Sequence, residues 1–495
     1  MCRRKKYYSV GQPNGMRQTT GQKRFQTGVA NADSVLNGGL LSKSATLVRG
    51  TPGAGKTIFG LHFLTATDEP AVYINLGEPS AYLKRTAERF GLETDHIEFL
   101  DLSPSGSEFQ GDQSYDLFES GEVETTPLVE QIRRTIEQKE PTRVLIDPVT
   151  ELRYLAPDER QFRTQVLSLL DFLKSEGATI VLTSQAAASV TDDDLQFLVD
   201  AVISLEATAD RRTLTVPKFR GSDTRRGPHT VTITDSGMQV WPSLDPAAHY
   251  RDGEIATLSS GVDELDSLLG GGLSTGTISF LTGPTGVGKT TTGLQFLTEA
   301  ARSDQRSVLY AFEESKRTMF TRAESIGIPL AEHVEEGRIV IEEIDTGELT
   351  LDEFTHRIRT EIEDNETEIV MIDGVSGYER AFRGSNDPSH ELVKIGRYLR
   401  NMNVTGIIIN EVHEITGDFR ATEHRVSHLA DDIIVLRHVE YRGELRKVIG
   451  VLKKRTSDFE STLRTLDISD DGVSVGEPLT NLRGILTGTP DWDDD

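Results

Sequence analysis

One eight-residue motif occurs twice in this chain of 495 residues, and this repetition constrains the fold more than any other feature. GTPGAGKT spans residues 50–57, and GPTGVGKT spans residues 283–290. The match extends well beyond the motif: RVLIDPVTEL recurs as IVMIDGVSGY, and VPKFRGSD recurs as VLKKRTSD, in the same order and with nearly constant spacing. Shared landmarks in one order indicate that a whole domain was duplicated in tandem.

The repeat boundaries define the predicted domains. Proline and charged residues replace periodic apolar residues around the join, which is typical of a linker. The chain begins with a segment that has several basic and no acidic side chains, and we interpret it as a flexible arm. We predict an arm at residues 1–24, a first domain at 25–243, a linker at 244–256 and a second domain at 257–495.

Short β-branched runs alternate with amphipathic stretches in each copy. In the first copy ATLVRG, AVYINL, RVLID and ATIVLTS are strand candidates, and FRTQVLSLLDFLKSEG has helical spacing. Strands that alternate with helices predict an α/β fold, in which a mainly parallel sheet is flanked by helices. We expect the later runs ISLEA, RTLTVPKF and HTVTIT to add antiparallel strands at one edge.

Charge and composition exclude several classes of protein. The net charge is −26, from 53 basic and 79 acidic residues. This balance argues against nucleic-acid binding, because phosphate backbones attract basic surfaces. Such an acidic surface is typical of halophilic proteins that stay soluble in a salty cytosol. The only cysteine is Cys2, and no apolar run is long enough for a membrane helix, so we predict a cytoplasmic protein without a membrane segment.

The repeated motif has the pattern G-x-x-x-x-G-K-[ST] of a phosphate-binding loop. Its glycines let the backbone wrap phosphate oxygens with N–H groups at the positive end of a helix, and its lysine reaches the β- and γ-phosphates. We therefore predict ATP at both loops. The predicted nucleotide-binding residues are Gly50, Thr51, Pro52, Gly53, Ala54, Gly55, Lys56 and Thr57 in the first copy, and Gly283, Pro284, Thr285, Gly286, Val287, Gly288, Lys289, Thr290 and Thr291 in the second.

Magnesium ligands are predicted at two places in each copy. The hydroxyl groups of Thr57 and Thr290 follow the loop lysines. Asp147 and Asp373 each end an apolar strand, where the side chains of parallel sheets face the ligand crevice. Hydroxyl and carboxylate oxygens are the ligands that Mg²⁺ accepts beside a nucleotide, directly or through water.

Candidate catalytic carboxylates follow the next strand. Glu313 and Glu314 come after VLYAF in the second copy, where a carboxylate beside the γ-phosphate can orient and deprotonate an attacking water. The first copy reads Gly77-Glu78 at the same place, so one carboxylate of the pair is missing. We expect the second domain to be the main hydrolase and the first to hydrolyse ATP slowly through Glu78.

Two basic pairs close the repeated landmarks. Lys218 with Arg220, and Lys453 with Arg455, are separated by one residue on a strand and share one face. Within their own domain they would duplicate the loop lysine. Offered to a neighbouring subunit, they could stabilise transition-state charge as an arginine finger does. The alternative is an exposed cationic edge that discourages strand pairing.

Taken together, these motifs resemble the KaiC family of RecA-like ATPases over about residues 25–490. SSGVDELDSLLGGGL, GPTGVGKTTTGLQFL, YAFEES and DDIIVLRHVEYRGELRKVIGVLKKR are the most telling segments. The resemblance implies two RecA-like P-loop domains, a homo-hexameric double ring, ATP between subunits, and an unidentified regulatory protein partner. Family members of the clock type also phosphorylate an adjacent Ser-Thr pair, which aligns with Ser427-His428 here. A serine autokinase therefore depends on Ser427 alone.

Two alternatives remain open from the sequence. RecA-type domains also drive DNA-dependent ATPases of the RadA kind, which need basic loops facing a channel. A nucleotide-sensing scaffold without catalysis would bind ATP and assemble but release no phosphate. The mixed charge after Asp147 counts against the first alternative, and Glu313-Glu314 counts against the second.

Overall fold

Two compact units, Met1–Pro242 and Ser243–Asp495, make up the chain. The computed structural model describes residues 23–102, 126–185, 192–209, 211–382, 387–412, 428–441, 443–470, 472–479, 482–483 and 491–492. Residues 1–22 of the predicted arm, and Ser427, lie outside the described residues.

The first unit contains one large sheet, a small pair of antiparallel strands and helices on both sides of the large sheet. Its strands are β1 (Arg24–Phe25), β2 (Leu40–Leu41), β3 (Ala45–Gly50), β4 (Ala71–Asn75), β5 (Ile97–Asp101), β6 (Arg143–Asp147), β7 (Thr179–Gln185), β8 (Ala201–Ala207), β9 (Arg212–Phe219), β10 (His229–Thr234) and β11 (Gly237–Trp241). Its helices are α1 (Ala32–Val35), α2 (Lys56–Leu64), α3 (Ser80–Arg89), α4 (Thr126–Lys139), α5 (Glu159–Ser175) and α6 (Leu195–Leu198), with a 3-10 helix at Val149–Leu155.

The second unit repeats this architecture. Its strands are β12 (Thr257–Leu258), β13 (Leu273–Ser274), β14 (Ile278–Gly283), β15 (Ser307–Ala311), β16 (Ile339–Glu343), β17 (Ile369–Asp373), β18 (Thr405–Glu411), β19 (Asp432–Tyr441), β20 (Glu444–Lys453), β21 (Arg464–Ser469), β22 (Gly472–Pro478), β23 (Leu482–Arg483) and β24 (Asp491–Trp492). Its helices are α7 (Asp263–Leu268), α8 (Lys289–Arg302), α9 (Lys316–Ser325), α10 (Leu330–Glu335), α11 (Leu351–Glu363), α12 (Val375–Ala381) and α13 (Pro388–Asn401), with a 3-10 helix at Pro246–Ala248.

Each unit is built on a nine-stranded sheet, and the two strand orders correspond. The order is β5-β4-β6-β7-β3-β8-β9-β10-β11 in the first unit and β16-β15-β17-β18-β14-β19-β20-β21-β22 in the second. Six strands on one side are parallel and three at the other edge are antiparallel. The fold predicted from the repeated motifs, tandem RecA-like domains with mainly parallel sheets, is confirmed.

One strand prediction was wrong. The run ISLEA belongs to β8, which pairs in parallel with β3, and the antiparallel part of the sheet begins only at β9. The residues of β8 alternate little between apolar and polar, because both faces of this strand are covered. Near-continuous burial is typical of parallel strands, and the local pattern did not distinguish the two directions.

Helices cover both faces of each sheet. In β15 the buried side chains of Val308 and Tyr310 join one apolar cluster, while Leu309 and Ala311 join another. Successive side chains of a strand point to opposite faces, so the two clusters are the two sides of the sheet. The sheet is therefore a central layer, and its strand ends are the places where polar groups remain accessible.

Part of the predicted linker lies against the second unit. The side-chain amide of Asn401 on α13 donates a 2.7 Å hydrogen bond to the carbonyl oxygen of Pro246, and the amide of Arg251 donates to the carbonyl of Asn401 at 2.8 Å. His249 contacts Glu363 at 2.7 Å. These contacts fix residues 246–251 on the surface of that unit.

Candidate functional site

Both phosphate-loop motifs lie at the carboxyl end of a parallel strand and lead directly into a helix. The first follows β3 and enters α2 at Lys56, and the second follows β14 and enters α8 at Lys289. The residue before each helix is a glycine in the left-handed conformation, Gly55 with φ 101° and Gly288 with φ 109°. This conformation favours glycine, and it turns the free N–H groups of the helix start toward one point, where an anion is favoured.

The loop lysines are buried and bonded to their own loops. Lys56 Nζ donates to the carbonyl oxygens of Gly50 and Thr51 at 2.9 and 3.0 Å. Lys289 Nζ donates to the carbonyl oxygen of Pro284 at 2.8 Å. Burial lowers the pKa of both ammonium groups. A phosphate that replaces these carbonyls would restore a full opposite charge to each desolvated cation.

The magnesium-ligand candidates of the second unit lie together. The Thr290 hydroxyl lies within interaction range of the carboxylate of Asp373, which is 7% exposed at the end of β17. The pKa of Asp373 is raised to about 6, chiefly by burial and in part by the neighbouring Glu314 and Glu313 carboxylates, while Thr290 opposes the shift. This cluster of buried and neighbouring negative charge favours a cation.

Asp147 in the first unit is held differently. Tyr73 donates a 2.6 Å hydrogen bond to Asp147 Oδ2, and Thr183 donates to Oδ1. The corresponding positions of the second unit are the apolar Leu309 and Ile409. Sequence analysis did not single out Tyr73 or Thr183, although a hydroxyl group in a largely apolar, buried strand is the signal that could have drawn attention to them.

The donor set fits a magnesium ion held in part by a nucleotide. Among the described residues no group of three or more His, Cys, Asp or Glu side chains is arranged as a metal site. Thr290 with Asp373 offers one hydroxyl and one carboxylate, which suits Mg²⁺ because it retains waters and takes its remaining ligands from phosphate oxygens.

The two glutamates of the second unit lie above the start of α12. Glu313 forms a 3.0 Å ion pair with Arg380, and Glu314 forms a 2.8 Å ion pair with Arg322. Glu313 Oε2 lies over Gly374, where an added Cβ would be 3.3 Å from that oxygen. The two arginines were not identified from the sequence, because each meets its glutamate only through the folded loop.

Glu78 is the corresponding carboxylate of the first unit. Its side chain is exposed, and partial burial together with the charge of Asp147 raises the pKa of this carboxyl group. Its amide donates to Asn75 Oδ1 at 3.3 Å, which closes the turn after β4. Glu78 therefore faces the same aspartate that Tyr73 orients.

The basic pairs lie far from the phosphate loop of their own unit. Phe219, between Lys218 and Arg220, pairs with Ala201 at the start of β8, and the Arg220 amide donates to the carbonyl of Asp200. Asp200 in turn bonds to Ala45 at the beginning of β3, whereas the loop follows the end of that strand. Five residue steps along β3 separate them by about 17 Å, at roughly 3.3 Å per residue.

The second unit has the same arrangement of cations. Lys453 Nζ donates to the carbonyl oxygen of Ala430, and Arg455 forms a 3.2 Å ion pair with Asp431. In the first unit Lys218 Nζ donates to the carbonyls of Gln196 and Val199 at 2.6 and 2.7 Å. Each lysine is thus held at the amino ends of the parallel strands, whereas its own loop lies at their carboxyl ends.

A groove of about 920 Å³ is lined in part by His428, the residue that follows Ser427, the predicted phosphorylation site. Its lining includes Ala247, His390, Arg397 and the exposed His428. Nothing structural follows for Ser427 itself, since it lies outside the described residues.

A tandem α/β fold with two phosphate loops, strand-end aspartates and following glutamates defines the class of P-loop ATPases built on RecA-like domains. The family described as "ATPase: KaiC" matches residues 25–245 and again residues 258–480. The chain belongs to the KaiC ATPase family.

Curated relatives align with nearly the whole chain. The circadian clock oscillator protein KaiC of Prochlorococcus marinus (strain MIT 9313) is 30% identical over 491 residues, which cover 94% of this chain and 95% of that protein. The protein of the same name from Synechococcus elongatus is 30% identical over 499 residues, with 97% and 94% covered. The circadian clock protein KaiC3 of Synechocystis sp. is 27% identical over 491 residues, with 96% and 95% covered. No helix in the described part of the chain is long and apolar enough to cross a membrane.

Proposed function

We propose that this protein is a hexameric, ATP-hydrolysing switch that binds Mg-ATP at both units and hydrolyses it mainly at the second. The observation that carries the proposal is the cluster around Asp373, where Thr290 and Glu314 lie within interaction range of one buried carboxylate beside a glycine-rich loop. The family match to an ATPase supports it.

Hydrolysis at the second unit divides the work among its own residues. Lys289 and the loop amides bind the phosphates, and Glu314 accepts a proton from the attacking water while Glu313 orients it. The water oxygen bonds to the γ-phosphorus, the bond from that phosphorus to the bridging oxygen breaks, and ADP and inorganic phosphate leave. Mg²⁺, held by Thr290 and Asp373, supplies positive charge to the phosphate oxygens when bound.

The cations that complete each site come from a neighbouring subunit in this proposal. The position of the four cations supports this, since they lie at the amino ends of the parallel strands and the loops of their own units lie at the carboxyl ends. The four are Lys218, Arg220, Lys453 and Arg455. Head-to-tail contacts that close into a ring bring the surface with these cations to the loop of the next copy. Assembly and turnover are then linked, as a switch requires.

One experiment separates the proposed activities. Purified protein is incubated with Mg²⁺ and γ-labelled ATP, and then analysed for phosphate release, molecular size and sites of phosphorylation. We expect free labelled phosphate and a hexamer. Label retained at Ser427 would add a serine autokinase activity, whereas ATP-dependent assembly without phosphate release would replace the hydrolase by a passive nucleotide sensor.

The regulatory role is tested separately from hydrolysis. Single-stranded DNA is added at high salt, and a strong rise in turnover would contradict the proposed switch in favour of a DNA-dependent motor. The net charge of −26 supports the opposite expectation, that DNA leaves turnover unchanged.

A further inference from the structure

The two units differ at three positions that surround the candidate water-activating carboxylates. Their strands are in the same register: the Leu76 amide bonds to the carbonyl of Asp147, and the Phe312 amide bonds to the carbonyl of Asp373. Gly77 therefore corresponds to Glu313. Counting on from the two aspartates, the remaining pairs are Pro148 with Gly374, and Glu151 with Gly377.

In the second unit, the space beside Asp373 is filled by Glu313. A Cβ added at Gly377 would lie 2.7 Å from Glu313 Cγ, 2.8 Å from Phe312 Cβ and 3.2 Å from Glu313 Oε1. This separation is shorter than real Cβ contacts allow, so a side chain at position 377 and the observed side chain of Glu313 exclude one another. Position 377 thus projects into the place that this carboxylate occupies.

The first unit has the reverse arrangement. Gly77 leaves the strand-end place without a side chain, and a Cβ there would lie 3.1 Å from Cδ of Pro148. Glu151 stands where the second unit has Gly377, four residues after the strand-end aspartate. Among the described residues its carboxylate forms no hydrogen bond or ion pair, and it is half-buried in the 3-10 helix Val149–Leu155.

We propose that Glu151 is a catalytic residue of the first ATP site, where it supplies the carboxylate that Gly77 lacks. This proposal rests on the proposed function. The water attacks the γ-phosphorus, its proton passes to Glu78, and Glu151 accepts a hydrogen bond from the second hydrogen of that water. The bond to the bridging oxygen breaks and ADP and phosphate form, so Glu151 orients the nucleophile and ends the cycle unchanged.

In this proposal the first unit retains two carboxylates, because Glu151 takes the role that Glu313 has in the second unit. Glu78 and Glu151 come from different elements, the turn after β4 and the 3-10 helix after β6, and both elements border Asp147. In the second unit the pair is adjacent in sequence, at 313 and 314. Comparison of the two loops alone shows one carboxylate fewer in the first unit, whereas counting from the strand-end aspartates pairs Glu151 with the position that Glu313 crowds in the second unit.

The test uses the full-length protein with the second site silenced by Lys289→Ala. In that background Glu151→Gln is compared with Glu78→Gln and with Glu137→Gln, an exposed glutamate on α4 without a role in the site. We expect Glu151→Gln to lower kcat about tenfold with KM for ATP within about twofold, because an orienting group acts on the reacting water rather than on nucleotide binding. Glu137→Gln should leave both constants unchanged.

A rescue variant distinguishes catalysis from a structural role. Gly77→Glu, Pro148→Gly and Glu151→Gly together transplant the arrangement of the second unit, and we expect kcat within about threefold of the Lys289→Ala background. Unchanged kcat in Glu151→Gln, with loss in Glu78→Gln, would overturn the role of Glu151 alone. A background that binds ATP but releases no phosphate would overturn hydrolysis at the first site and the role of Glu151 with it.

Discussion

Tyr73 donates a 2.6 Å hydrogen bond to Asp147, and this contact has no counterpart in the second unit. The equivalent position there is Leu309, and the nearby Tyr310 has a buried hydroxyl group without a hydrogen-bond partner among the described residues. Two strand-end aspartates at corresponding positions thus have different neighbours. The two sites share a plan, but their electrostatics differ.

The two buried tyrosines predict opposite effects on stability. Tyr73→Phe removes a hydrogen bond to a charged acceptor, and we expect a loss of about 1.5–3 kcal/mol. Tyr310→Phe removes a buried hydroxyl that has no partner, so we expect no loss or a gain of up to about 1 kcal/mol. Thermal unfolding of both variants without nucleotide measures the difference. Equal losses in the two variants would show that the Asp147 contact contributes nothing specific.

The raised pKa of Asp373 predicts a pH-dependent penalty. Its folded pKa of about 6 exceeds the usual unfolded value of about 3.9, so the folded protein binds more protons between these values and loses stability as the pH rises through them. Asp373→Asn removes the penalty. Without Mg²⁺ we expect this variant to gain about 2 kcal/mol over the wild type between pH 4.5 and pH 7.5.

Unfolding midpoints at both pH values, in a chelator, test this expectation. Asp147→Asn is the matched control and should be destabilised at pH 7.5, because its amide group would face the hydroxyl donors Tyr73 or Thr183 in place of a carboxylate oxygen. A difference between Asp373→Asn and the wild type that stays constant with pH would refute the proposed penalty.

The loop lysines predict the stoichiometry of nucleotide binding. Lys56→Ala and Lys289→Ala should each reduce bound ATP from two molecules per chain to about one, and the double variant should bind none, since each ammonium group neutralises the phosphates of its own site. Equilibrium binding of a fluorescent ATP analogue measures this. The surface residue Lys139, which pairs with Glu98, provides the control variant Lys139→Ala, and full binding by the double variant would contradict both assignments.

The position of Arg455 predicts complementation between subunits. Lys289→Ala lacks the loop cation and Arg455→Ala lacks the proposed finger, so each alone should lose second-site turnover. In randomly mixed rings about a quarter of the interfaces join an intact loop to an intact Arg455, and we expect about a quarter of the wild-type turnover of the second site. The control is a mixture of Lys289→Ala with the double variant Lys289→Ala/Arg455→Ala, in which no interface has an intact loop. A mixture no more active than its components would place Arg455 outside the neighbour's site.

The fold could be predicted from the sequence because its strongest signals are local. A glycine-rich loop between an apolar strand and a helix specifies its own geometry, and duplication repeats the information. The direction of β8 was not predictable in the same way, since parallel and antiparallel strands with both faces covered have similar apolar patterns.

The candidate site could be predicted only in part, for a different reason. Thr290, Asp373 and Glu314 follow strand or loop signals, and they lie together in the structure. Arg380 reaches Glu313 only because α12 turns back over the strand ends, which no local spacing encodes. Contacts between distant segments depend on the folded register, and this register is what relates Gly377 to Glu151.

The 2.7 Å separation at Gly377 also restricts how such a pair of domains can diverge. An added Cβ would collide with Glu313 and also with the Cβ of Phe312, at 2.8 Å, so loss of the Glu313 side chain would not by itself make room for a carboxylate here. The backbone after the strand-end aspartate must shift as well. One domain of a duplicated pair can pass through such an intermediate, because the other domain keeps its own site.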